Sequence, residues 1–163
     1  MTLDLPELVR VGGVLEEAHA LLEAERERLE QLYRGRSSAG DITAGGPSQT
    51  LHGIRDMSGA VAQSRQQVAL AAGYSVLGLD HRADHALKMA RRDPVSFPSG
   101  ADRMARPLGE ATVRAMELIR DLGFFRAEVA IAVDVALAAP QATYPPDDWD
   151  AWMRERRQRG ERF

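Results

Sequence analysis

The chain has 163 residues, a formal net charge of −3 and no cysteine, which suits one soluble domain with its own core. These values exclude a disulfide framework and a thiolate zinc site, and they give no global attraction to nucleic acid or an anionic membrane. No apolar run approaches the roughly 20 residues that a membrane-spanning helix needs.

The N-terminus, "MTLDLPELVR", lacks the basic segment and apolar core of a secretory signal. Together with the missing cysteines this points to a cytoplasmic protein. Of the 21 basic residues only Lys88 is lysine, an imbalance read as the codon bias of a GC-rich bacterial or phage genome.

In chain order, Leu8, Val11, Leu15, Ala18, Leu22, Leu29 and Leu32 recur in steps of three and four, with Glu25 the one interruption. The spacing predicts a helix from about Pro6 to Tyr33 with one apolar stripe, capped by Asp4. The Gly- and Ser-rich stretch 35–50 is the first loop. A second helix is expected from Pro47 or Ser48, with Leu51, Ile54, Met57, Val61 and Val68 inward. Gly73 and Gly78 leave two readings of 48–92: one long helix, or two with a kink between about 71 and 79. In either case Ala72, Val76, Leu79, Ala83, Ala86 and Ala90 trace its core stripe, and Leu70, Tyr74, Leu77 and His81 a second one.

Three prolines mark 93–107 as the second loop. A further helix is expected from near Pro107, with Leu108, Ala111, Ala115, Leu118, Leu122, Phe125 and Val129 inward. Its continuation 128–139 alternates like a strand, yet it is rich in Ala and has no partner strand, which favours helix. After Pro145 and Pro146, Trp149 and Trp152 fall on one side of a short, Arg-rich tail helix. The expected fold is therefore all-α: an antiparallel bundle of three or four long helices over 1–143, then a tail over 144–163.

Two constellations carry candidate chemistry. His81 and His85 lie four apart, so on a helix both imidazoles leave the same face and could chelate one transition metal. Glu16, Glu23 and His19 could be imagined joining them inside a bundle. The helical wheel instead places His81 and His85 opposite the alanine stripe, with Lys88 and Arg92, and His52 away from Ile54 and Val61.

The segment "LGLDHRADHALKMARRD" (77–93) resembles the closing helix of MazG-type, all-α nucleotide pyrophosphohydrolases. That resemblance implies magnesium held by Glu27 and Glu30, with Lys88 and Arg92 contacting phosphate. The chain departs from the family pattern at "QSRQ" (63–66), where amides stand in place of the second acidic motif. No phosphate loop, dinucleotide fingerprint or nucleophile elbow is present.

The favoured reading is a helical interaction or structural protein that self-associates, with no catalytic residue assigned and no cofactor favoured. The 70–77 and 128–139 segments motivate it, each being apolar on more than one side. The alternatives are the magnesium-dependent nucleotide hydrolase and a His/Glu metal bundle. The tail suits docking on the chain's own bundle or on a protein partner better than on nucleic acid, because Asp147, Asp148 and Asp150 offset its arginines.

Overall fold

The computed structural model of the protein describes residues 3–33, 47–92 and 110–123, together with Asp134, Leu137, Arg154, Gln158 and Gly160. Four helices are described: α1 (Leu5–Tyr33), α2 (Pro47–Val76), α3 (Asp80–Arg92) and α4 (Glu110–Asp121). No strand occurs among the described residues. The fold is all-α.

Helix α1 starts where its sequence directs. The Asp4 carboxylate accepts a hydrogen bond from the Glu7 backbone N–H at 2.9 Å, and the Asp4 carbonyl accepts the first helical bond, from Leu8, at 2.9 Å. This is a helix N-cap, with Pro6 in the first turn where its missing N–H costs nothing. The expected stripe is buried from Leu8 to Leu29, and it includes the Glu25 position.

Three contacts fix how α2 lies on α1. A methyl group placed on Gly12 would sit 3.7 Å from Val68, the Glu23 carboxylate meets the Ser58 hydroxyl at 2.5 Å, and Glu30 meets Arg55 at 2.6 Å. Partners on α2 move backwards as α1 advances, so the two helices run antiparallel.

The second helix ends at Val76, and 47–92 forms two helices. The Leu79 N–H bonds to the Tyr74 carbonyl and the Gly78 N–H to the Ser75 carbonyl, at 2.9 and 3.1 Å, while Gly78 takes φ +72°. That is a Schellman ending, in which a left-handed residue, here Gly78, satisfies carbonyls the helix leaves open. The chain then turns back, and Ser64 Oγ donates to the Ala90 carbonyl at 2.7 Å. Ser64 thus closes, from the neighbouring helix, one of the last-turn carbonyls of α3 that has no partner within its own helix.

This turn corrects the stripe drawn across it. Val76 and Leu79 are exposed, and the buried seam of α3 is Ala83, Ala86, Leu87 and Ala90. A wheel run through the turn misplaces Val76 and Leu79, because the 100° step stops at Gly78, while Ala72 still packs against the core.

Gly78 and Gly13 should respond oppositely to alanine. A Cβ at either meets nothing within 4 Å, so the effect is conformational. Gly78→Ala forces a side chain into left-handed backbone and should cost about 1 kcal/mol. Gly13→Ala, in a helix interior, should stabilise by roughly 0.5 to 1 kcal/mol. Urea melts of the two variants check this, and shifts of the same sign would contradict it.

Helix α4 packs on α1, whose other neighbour is α2, and α3 packs on α2. One core joins all four helices, with Leu15, Leu22, Ile54, Met57, Met116 and Ile119 among its fully enclosed side chains. The buried face of α4 is Thr112, Ala115, Met116, Leu118 and Ile119, rotated from the expected one, since Ala111 and Leu122 are only partly covered. The helix also stops earlier than expected. Gly123, at φ +71°, bonds back to the Arg120 carbonyl at 2.9 Å and terminates it.

Leu108, Phe125 and Val129 lie outside the described residues, as do most of 128–139 and of the tail. Within those segments Asp134, Leu137, Arg154 and Gln158 are helical. Leu137 packs against the core, and Asp134 is 3.5 Å from Arg120.

Candidate functional site

His81 and His85 are one turn apart on α3 and both are exposed, across the helix from its alanine seam. Lys88 is exposed on the same helix, and the backbone of Arg92 closes it. His52 is exposed on α2, and His19 is half-buried on α1 with Nε2 3.9 Å from Glu23.

The carboxylates of α1 are engaged elsewhere or open to water. Glu27 is exposed. Glu30 holds two guanidinium groups, Arg26 at 2.8 Å and Arg55 at 2.6 Å. Glu23 holds Arg26 at 2.6 Å and accepts from Ser58. These five side chains clasp α1 to α2, and Glu30 is thereby matched to cations that would compete with a metal ion. Along the α1–α2 and α2–α3 registers, Glu27 and Glu30 lie level with the 51–58 part of α2, and His81 and His85 with the 69–73 part. At 1.5 Å per residue the two groups stand on the order of 20 Å apart. They do not converge. Among the described residues no three His, Asp or Glu side chains gather to hold a metal ion.

The same registers bear on the MazG-type resemblance. The turn 77–79 does lead into a helix beginning at Asp80. Gln63 and Gln66, in place of the second acidic motif, lie level with Glu16, about three turns of α1 away from Glu27 and Glu30. Among the described residues the positions of the two motifs therefore stand at different levels of the bundle.

The clasp has a pH signature. The hydrogen bond from Arg26, then that from Ser58, holds the Glu23 carboxyl below its ordinary value, and Arg55, then Arg26, does the same for Glu30. Carboxyls depressed in the folded state stabilise it above their unfolded pKa, and that contribution is lost as the pH falls through the folded values. Unfolding free energy should therefore decline between about pH 5 and pH 3. The decline should be shallower in Glu23→Gln/Glu30→Gln, and an unchanged slope would show that the clasp contributes nothing.

The feature of different character lies along the outer side of α1 and α2. An open groove of about 820 Å³ runs between them, with Gly12, Gly13 and Glu16 on one wall and Arg65, Gln66 and Ala69 on the other. A second hollow of about 350 Å³ continues it along α2, past Gln66, Leu70, Tyr74 and Leu77. Arg82 sits 6.0 Å above the Tyr74 ring. At the end of the hollow, by the turn, Leu77 is 72% exposed, and its neighbour Val76 is 67% exposed. Because α1 and α2 are antiparallel, the start of α1 lies at this end too, and there Val9 is 64% exposed.

Of this surface, sequence periodicity indicates Leu70, Tyr74 and Leu77 but not its α1 wall. The available sign was Gly12-Gly13 inside a helix, a pair costing about 2 kcal/mol in propensity against alanine. No family model, curated protein or solved structure matches the chain. None of the described helices is long and apolar enough to cross a membrane.

Proposed function

We propose that the protein is a helical interaction or structural protein that acts by self-association, with no catalytic role for its histidines or acidic residues. The observation that supports this reading is the exposed apolar surface at one end of the bundle. Val9, Leu70 and Leu77 are exposed along the groove and its adjoining hollow, and Val76 and Leu79 are exposed at the turn that follows α2. Scattered exposed hydrophobes are ordinary, but a clustered set beside a groove favours association, since burying it in a partner releases its hydration.

Its candidate metal ligands stand apart, and Glu30 is neutralised by two arginines. A scaffold or assembly unit has use for the exposed apolar surface, which association would bury. Light scattering across low to high micromolar protein tests the proposal. The expected result is a mass that rises above the 17.9 kDa of one chain. A constant monomer mass at the highest concentration would overturn it.

A further inference from the structure

We infer that the groove between α1 and α2 is an isologous interface, in which α1 of one protomer lies across α2 of a second copy. This inference rests on the self-association proposed above and specifies its surface and geometry.

The surface is complementary to itself in shape. Its α1 wall carries a notch at Gly12 and Gly13, and Leu70, which lines the adjoining hollow of α2 and is 43% exposed, supplies the projecting side chain, or ridge. The α1–α2 register puts notch and ridge within about one helical turn of the same level. A two-fold axis parallel to the helices lays each ridge over the other protomer's notch, and both are satisfied at once.

Charge selects this stacking over its alternative. Glu16 and Arg65 face each other across the groove at one level, and neither forms an ion pair among the described residues. Stacking α1 on α1, centred here, sets Glu16 against Glu16 and Arg65 against Arg65. Stacking α1 on α2 sets each Glu16 against the partner's Arg65, two opposite-charge contacts in place of like ones. Like-charge juxtaposition across an interface is strongly disfavoured, so the crossed arrangement is selected.

Size sets the strength. From Ala62 to Leu77 the α2 face is ~22 Å long, and two helices side by side are ~20 Å wide, a plan area of ~450 Å² per protomer. This is roughly half of the usual ~800 Å² per partner, the size of weak, transient contacts, so the dimer should be concentration-dependent.

Sedimentation equilibrium on the full chain and on four variants tests the geometry. Gly13→Trp fills the notch from a position where an added Cβ meets nothing within 4 Å, so the fold, checked by circular dichroism, should stand while dimerisation weakens at least about ten-fold. Glu16→Arg and Arg65→Glu should each weaken it about ten-fold, and the double variant should return to within about three-fold of the parent. If the parent is a monomer throughout, the proposed function itself fails. If the parent associates but Gly13→Trp leaves it unchanged, or the double reversal does not rescue, this interface is wrong while self-association stands.

Discussion

Leu22→Ala should lower the unfolding free energy by about 3 kcal/mol, within the range found when a fully enclosed leucine is cut to alanine. Leu22 has no exposed surface and lies midway along the buried stripe of α1, which packs on both α2 and α4. The loss comprises the transfer energy of the removed methyl and methylene groups and the cavity left behind, because helices held on two sides relax little. In a chain of this size it should appear as a fall of roughly 6 to 12 °C in Tm. Gln31→Ala, on the exposed side of the same helix, should stay within about 0.5 kcal/mol of the parent. Equal effects at the two positions would mean that α1 does not pack as described.

The second large effect concerns the interruption in that stripe. Glu25 is 6% exposed, and its two carboxylate oxygens receive Arg28 Nε at 3.1 Å and Arg28 Nη2 at 3.0 Å. This is a bidentate pair, the strong form of the interaction, with the arginine reaching outward from one turn later. Arg28→Ala should cost about 2 kcal/mol, most of it from leaving the Glu25 carboxylate covered and without its guanidinium. Glu25→Leu removes the buried charge altogether and should be neutral or stabilising, since a well-packed apolar side chain often outperforms an ion pair at such a site. Chemical denaturation of the two variants gives the comparison. The pair would be misassigned if removing Glu25 proved more damaging than removing Arg28.

What the sequence made legible follows from where its patterns are unbroken. The α1 stripe is read correctly from Leu8 to Leu29 because one helix carries a single phase over its whole length. The reading weakens at Gly73 and Gly78, two glycines of equal standing on paper. Only the left-handed backbone of Gly78 identifies it as the helix end. Running the wheel across that turn placed Val76 and Leu79 in the core, and both are exposed. On α4, apolar residues cover a broad arc, so packing against α1, not periodicity, decides that Met116 and Ile119 face inward while Ala111 sits at the edge.

The candidate site was legible in halves. Leu70, Tyr74 and Leu77 were recognisable as a surplus apolar stripe on α2. The wall opposite them, and the pairing of Glu30 with Arg55, depend on the antiparallel register of α1 and α2. Those partners are 25 residues apart in sequence, and no local spacing encodes them. The same register separates Glu27 and Glu30 from His81 and His85, groups that a linear reading leaves free to meet.

The most direct measurement uses the absence of cysteine from the chain. Two single-cysteine proteins, Gly13→Cys and Ala69→Cys, are mixed under mild oxidation and the products separated by mass. Both positions line the groove, and in the crossed dimer they approach between protomers closely enough for a disulfide, whereas each lies diagonally distant from its own copy. The mixed disulfide should be the dominant covalent dimer, with little of either homodimer. Homodimers in excess of the mixed species, or no cross-link at concentrations where the parent associates, would contradict it.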